Sequence, residues 1–276
     1  MRLDCQTLLA STLLLILGTT VFAAPKAELW PRWQANDPQS TLRIDHSAWG
    51  GFLDKYLVTG TAGAASLLRY AVVTPADKIT LADYLATLSA APMTKLNRAE
   101  QKAAWINLYN ALTVQTILEH YPLRSIREIN SGWFSRGPWD LKLLRIEGVE
   151  LSLNDIEHRI LRPIWQDNRV HYAVNCASLG CPNLQPQPFT AENSERLLDA
   201  AARDFINSPR GAEIRGEKLL LSSIYDWFQA DFGNSTAGVI AHLQHYAAPG
   251  LKEKLQSFAD RIDFTYNWDL NNKQTD

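Results

Sequence analysis

Apolar residues recur at three- and four-residue steps through the first half of the chain. Trp49, Phe52, Leu53 and Tyr56 make one such stripe and Leu81, Tyr84, Leu85 and Leu88 another, the spacing that stacks side chains on one face of an α-helix. A third and stronger stretch opens at Leu96, where Asn97 is a good N-cap and Glu100 follows three residues on, as in a capping box. It continues through Trp105, Leu108, Leu112 and Ile117 and should end before Pro122. Residues 59–63 and Ala91-Pro92 read as the loops between helices.

Near Gly132 the pattern changes. Residues 131–139 have a loop composition that carries the aromatics Trp133, Phe134 and Trp139. Residues 141–146 and 149–151, joined by Glu147-Gly148, predict a hairpin; 152–163 a short helix; and 170–175 a buried strand. A helix over 189–206 follows, with Leu197, Leu198 and Ala201 on one face, and then a second hairpin, 213–215 with 219–221, around Gly216. Helices near 224–230 and 237–246 precede a closing strand over 262–268. Hairpins interleaved with helices predict an α+β fold, a helical N-terminal half packed on a small antiparallel sheet, and not a doubly wound parallel sheet. There is no internal repeat and no linker long enough to force two domains, so residues 24–276 are expected to form one, helical over about 24–131 and strand-containing over about 132–276.

The first 23 residues stand apart. Arg2 is followed by the apolar run Leu8, Leu9, Ala10 and Leu13 to Leu17, then by Val21-Phe22-Ala23, with small residues at the −3 and −1 positions of a cleavage site. This reads as a signal peptide, with a mature chain beginning at Ala24; the apolar core is shorter than the roughly 20 residues of a spanning helix. The expected location is periplasmic or secreted, with no membrane span after removal of the leader. Cys5, ahead of the apolar core, leaves with it, and Cys176 and Cys181 remain in an oxidising compartment where such a pair can be a disulfide.

Composition narrows the function classes. Twenty-seven Lys and Arg against 29 Asp and Glu, with no long basic run, lack the footprint of a nucleic-acid binder. A chain of 276 residues builds a core without metal or disulfide support. No phosphate-cradling Gly-rich loop, Gly-x-Ser-x-Gly elbow or His-Glu-x-x-His occurs, so no cofactor is expected.

The densest chemistry lies in residues 170–183. A buried strand running into a small-residue turn that begins with Cys176 and includes Ser178 would leave backbone N–H groups able to lower a thiol pKa and to hold an oxyanion. Cys176 is therefore a candidate nucleophile, expected to be unbonded to Cys181; the alternatives are a Cys176–Cys181 disulfide or two small packed side chains. Of the histidines, His171 lies five residues before Cys176, an offset that turns the two apart on a straight strand. His158, on a separate helix, is free to face the thiol and is expected to activate it. On an ideal helix Asp155, three residues before His158, shares its face, whereas Glu157 is rotated away, so geometry favours Asp155 as the orienting carboxylate. A surface histidine near a helix C-terminus is the other reading of His158. Asn107 and Asn110 share one face of an otherwise apolar helix, either bracing the interior or orienting a substrate or catalytic group. Cys176, Cys181 and His171 offer three zinc ligands without knuckle spacing, and a metal site is not expected.

Three segments carry a family resemblance: Ala104-Trp105-Ile106-Asn107-Leu108-Tyr109-Asn110-Ala111-Leu112, then 153–162 with its Glu157-His158 pair, and 171–182 with Asn175-Cys176-Ala177-Ser178-Leu179-Gly180-Cys181-Pro182. With them the chain resembles the domain-of-unknown-function family DUF547, which is similar to papain-like cysteine hydrolases with a rearranged order of elements. The resemblance implies Cys176 as the thiol with His158 and Glu157 as its partners, against the helix geometry that favours Asp155; Asn107, Asn110, Asp155, His171, Ser178 and Trp139 are the further candidates for supporting or substrate-binding places. The expected function is acyl transfer on a peptide-like or other amide substrate. The alternatives are a non-catalytic module that forms a mixed disulfide with a small-molecule thiol such as glutathione, and a peptide-binding or signalling accessory domain using the groove at Trp133, Phe134 and Trp139.

Overall fold

A computed structural model describes residues 24–61, 63–129, 137–256, 258 and 261–274. Residues 1–23, where a leader is expected, and Trp133 and Phe134 lie outside the described residues.

The three helices of the first half form where the stripes place them. Helix α1 (Ser47–Tyr56) buries Trp49, Phe52, Leu53 and Tyr56. Helix α2 (Pro75–Ala90) starts on Thr74, whose side chain accepts the Asp77 N–H, with Pro75 supplying a preset φ in the first turn. Helix α3 (Arg98–His120) starts on Asn97, whose Oδ1 accepts Glu100 N–H at 3.0 Å; the Glu100 carboxylate accepts the Ile44 N–H instead of returning to the cap. Buried on all sides over most of its length, α3 is the axis of the first core, and the polar side chains it buries, Asn107 and Asn110 among them, are hydrogen-bonded there.

The class is α+β, with the strands dispersed over three small sheets. Strands β1 (Leu57–Val58) and β2 (Leu67–Leu68) form a ladder that the sequence did not announce. Strands β3 (Leu144–Ile146) and β4 (Val149–Leu151) form the expected hairpin, turned by Glu147 and Gly148, both at positive φ as a tight two-residue turn requires. Strands β5 (Ala212–Arg215) and β6 (Lys218–Ser222) form the second hairpin, and β7 (Arg261–Thr265) joins β6 in parallel, so this sheet is mixed instead of purely antiparallel.

Several helical or strand assignments change, the closing strand among them, which stops at Thr265 and not at Trp268. Residues 170–175 are not a strand: Asn168–Tyr172 is a 3-10 helix, followed by irregular chain. Every side chain from Val170 to Asn175 is buried, and a continuously buried run carries no period to separate strand from helix. The helix expected over 152–163 exists, but Asp155–Leu161 is π-helical, with Arg162 N–H bonded to Glu157 O, before the short α4 (Arg162–Trp165). Helix α5 (Ser194–Ile206) starts five residues later than the apolar pattern begins, because Thr190 and Asn193 close a turn on each other. Helix α6 (Ile224–Trp227) gives way to a 3-10 turn, Gln229–Phe232, that ends on Gly233 at φ 89°. Helix α7 (Thr236–Tyr246) fits its pattern, and α8 (Pro249–Gln256) adds an unforeseen element. Among the described residues no helix is long and apolar enough to cross a membrane.

Two apolar cores result, one around α3 and one around α5, α7 and the mixed sheet. The 170–174 segment joins them: Val170, Ala173 and Val174 pack in the first and Tyr172 in the second. His171 thereby sits on the seam between the two.

Candidate active site

Along that seam lies a cavity of about 450 Å³. Cys176, Cys181, Glu157, His158 and His171 line it together with the aromatic residues Trp139, Trp227, Tyr266 and Trp268. Ala24 and Pro25 border it as well, because the N-terminal strand of chain is strapped to the π-helical turn: Arg162 Nη1 donates to Pro25 O at 2.8 Å and Glu28 N to His158 O at 2.9 Å. A mostly apolar concavity with a few converging polar groups is the usual form of a small-ligand site.

Cys176 and Cys181 are joined in a disulfide, which corrects the expectation of two free thiols. Cys176 is partly exposed, whereas Cys181 is buried. Cys176 Sγ lies 3.3 Å from Ser178 Oγ and 3.1 Å from the Tyr266 hydroxyl, and among the described residues no histidine hydrogen-bonds to it. Five of the six N–H groups from Cys176 to Cys181, all but that of Ser178, are already engaged, so the pair of free amides expected of an oxyanion hole is not formed. Cys176 N–H points at Cys181 Sγ, Ala177 N–H at Asn175 Oδ1, Leu179 N–H at Asp269 O, Gly180 N–H at Asn267 O and Cys181 N–H at Ser178 O. The small residues let this loop fold back on the C-terminal segment and use its amides there; a Cβ on Gly180 would come within 2.8 Å of Asn267 N. Arg210 fastens the other side, donating to the carbonyl of Cys181 and to Asn183 Oδ1.

Both histidines reach the cavity, but each is committed elsewhere. Arg162 has only donors, so its 3.0 Å contact makes His158 Nδ1 an acceptor and puts the His158 proton on Nε2. Burial pushes His158 down to about 4, with the Glu157 carboxylate opposing and Arg162 adding, so the ring is neutral near pH 7. His171 Nε2 lies 2.7 Å from Asp231 Oδ2, which also accepts from Arg162 Nε at 2.6 Å. Burial works against the charge on Asp231, but the bonds from His171 and Arg162 outweigh it and hold its carboxyl well below the usual carboxylate range. The Phe228 ring stacks on His171 at 4.5 Å and tilts against His158 at 5.6 Å, keeping both imidazoles in place.

Neither carboxylate of the π-helical turn orients His158 by a hydrogen bond. Glu157 Oε1 stands 3.9 Å from His158 Nδ1 and 3.8 Å from His171 Nδ1, shared between the rings without bonding either. Asp155 is spent on Lys142, on Ser152 N–H and Oγ, and on Arg159, which together overcome burial and keep it ionised. The preference for Asp155 assumed α-helical angles; the wider i→i+5 turn removes the three-residue coincidence of faces and turns Glu157 into the cavity.

Asn107 and Asn110 brace. Asn107 Nδ2 donates to Phe189 O at 2.7 Å and its Oδ1 accepts Phe189 N–H at 2.9 Å. Asn110 does the same across two residues, Nδ2 to Ala173 O and Oδ1 from Asn175 N–H, both 2.8 Å, and so fixes the chain that enters the Cys176 turn. Sequence reasoning missed Arg162, Asp231, Arg210, Tyr266, Trp227 and Trp268. The poor fit of Arg162 in a buried helical face was a usable signal; Tyr266 gave none, being 90 residues from Cys176. Among the described residues no group of three or more His, Cys, Asp or Glu is placed to hold a metal ion.

Residues 93–206 match the family described as protein of unknown function, DUF547, a span that contains all three motifs behind the resemblance. No curated protein and no solved structure matches the chain.

Proposed function

We propose that the cavity is a thiol-exchange site, in which a small-molecule thiol of the glutathione class attaches to Cys176 as a reversible mixed disulfide. The observation that carries this reading is the Cys176–Cys181 bond at the wall of an aromatic-lined cavity, with Cys176 the more exposed of the two. The incoming thiolate attacks Cys176 Sγ, a new S–S bond forms, and the electron pair of the old one leaves on Cys181; the reverse step releases the ligand, and no external oxidant enters. Trp139, Trp227 and Trp268 would cover the ligand's apolar surface. Export of the processed chain from Ala24 belongs to the same reading, because an oxidising compartment keeps the pair bonded when no ligand is present. Titrating oxidised protein with reduced glutathione and recording intact mass should give one adduct, absent in Cys176→Ser. Protein that stays unmodified, with its disulfide intact or reduced outright, refutes exchange by this route.

A second reading has its own support in the imidazoles and Glu157 that border the same cavity. In it the reduced protein acts as a papain-like cysteine hydrolase or acyltransferase on an amide or peptide-like substrate, with the Cys176 thiolate attacking and His158 or His171 moving in as base. Amide turnover by reduced protein that vanishes in Cys176→Ala, and is absent from oxidised protein, selects it over exchange.

A further inference from the structure

The two sulphurs of the pair have unequal surroundings. Ser178 Oγ donates to the Tyr266 hydroxyl at 3.0 Å, and that hydroxyl donates its own proton to Cys181 Sγ at 3.1 Å. The backbone N–H of Cys176 also points at Cys181 Sγ, at 2.9 Å. Cys176 Sγ lies at the same 3.1 Å from the Tyr266 hydroxyl and 3.3 Å from Ser178 Oγ, so what sets Cys181 apart is its burial and the backbone N–H aimed at it, with the Tyr266 hydroxyl in reach to add a second donor. We propose that Cys181, buried and held by the Cys176 amide, is the leaving sulphur, and that Tyr266, supported by Ser178, is the positioning residue that adds a hydroxyl donor to its thiolate, so that incoming thiols are captured on Cys176 alone.

This rests on the exchange reading for its biological use, but the asymmetry itself is a property of the chain. The rate of thiol–disulfide exchange rises as the departing thiol becomes more acidic, and two hydrogen bonds aimed at a thiolate make it so. Burial raises the Tyr266 phenol well above its ordinary value, so the residue stays a donor while the Cys181 thiolate forms. The step balances: RS⁻ bonds to Cys176 Sγ, the Cys176–Cys181 bond breaks, and its electron pair rests on Cys181 between the Tyr266 hydroxyl and the Cys176 amide. The other titratable groups around the pair are Arg210, which binds the Cys181 carbonyl, Tyr109 from α3, and Glu157, His158 and His171, which share the cavity.

The test uses reduced Cys176→Ser protein, in which Cys181 is the single thiol of the processed chain, and reads the pH dependence of its alkylation by iodoacetamide. Adding Tyr266→Phe should move the midpoint up by about one unit, the size of one lost charge-assisted hydrogen bond. Adding Ser178→Ala, which leaves the ring in place, should move it the same way by less. In protein with both cysteines, glutathione should be mapped by peptide mass to Cys176, and Tyr266→Phe should slow adduct formation about tenfold or less. A midpoint unmoved by both substitutions, or adduct found on Cys181, overturns the proposal. Absence of any adduct with the midpoint shifts intact removes the exchange reading and leaves the asymmetry standing.

Discussion

Replacing Asn110 by Ala isolates what the α3 clamp contributes to the Cys176 turn. The side chain is 2% exposed, and its loss orphans two buried backbone groups, the Ala173 carbonyl and the Asn175 N–H. Each uncompensated group costs about 1–3 kcal/mol, and Ala returns roughly 0.6 kcal/mol of helix propensity, so the net loss should be about 3 kcal/mol. Asn107→Ala is the matched control, because it orphans the N–H and carbonyl of Phe189 in the same geometry but at a position that holds no part of the cysteine turn. Urea unfolding of the oxidised proteins, followed by Trp fluorescence, should shift to lower midpoints by similar amounts for both. Only Asn110→Ala should also speed reduction of Cys176–Cys181 by dithiothreitol, since it alone frees the segment entering Cys176. Asn110→Asp should do no better than Ala, because it puts a carboxylate oxygen against the Ala173 carbonyl. Stability of Asn110→Ala within about 0.5 kcal/mol of the parent, the scatter of ordinary surface substitutions, would refute the clamp. Equal acceleration of reduction in Asn107→Ala would refute its link to the turn.

Other outcomes follow from the same geometry. His158 takes a proton in the unfolded chain near its ordinary 6.5 but in the folded protein only near 4, so between these values the unfolded state binds more protons. Its contribution is complete above about pH 6.5 and declines as the pH falls to about 4; His158→Gln should flatten part of that slope in denaturation midpoints taken across the window, and an unchanged slope would contradict the burial of a neutral ring. Gly180→Ala should destabilise by roughly 1–3 kcal/mol, read by thermal melting, because its Cβ meets Asn267 N and O at 2.8 and 2.9 Å where Gly180 N–H docks. Ala24 and Pro25 border the cavity, so protein beginning at Ala24 should exchange with glutathione faster than protein retaining residues 1–23, and equal stopped-flow rates would count against a role for processing.

Much of the fold was legible because it is local. The Asn97 cap and the Glu147-Gly148 turn each satisfy backbone groups within a few residues, and the pattern alone identifies them. The site was legible as a set of residues and illegible as a geometry. Cys176, His158, Glu157 and His171 do converge, but the expectation that His171 turns away from Cys176 depended on a straight strand that is absent. The preference for Asp155 likewise depended on an α-helical turn, and one extra residue in the hydrogen-bonded loop reassigned both carboxylates. Tyr266 and Asp231 come from segments 90 and 60 residues beyond their partners, distances over which no periodicity reports.

The hydrogen bonds already made by the two histidines separate the functional readings energetically. For His158 to accept the Cys176 proton through Nδ1 it must give up Arg162, and the arginine would lose a buried acceptor; His171 can keep Asp231 on Nε2 and offer Nδ1, which stands 3.8 Å from Glu157 Oε1 without a hydrogen bond, but its ring must still leave the Phe228 stack to reach the sulphur. Breaking a hydrogen bond to a charged group costs about 1.5–3 kcal/mol, roughly a ten- to hundredfold loss of the competent population before any chemistry begins. Thiol exchange asks for no movement of either ring, because the attacking thiolate arrives with the ligand and the leaving thiolate is received by donors already in place at Cys181. In the exchange reading the imidazoles serve the cavity as packed walls under Phe228, and the chemistry would fall to the two sulphurs and the hydroxyl of Tyr266.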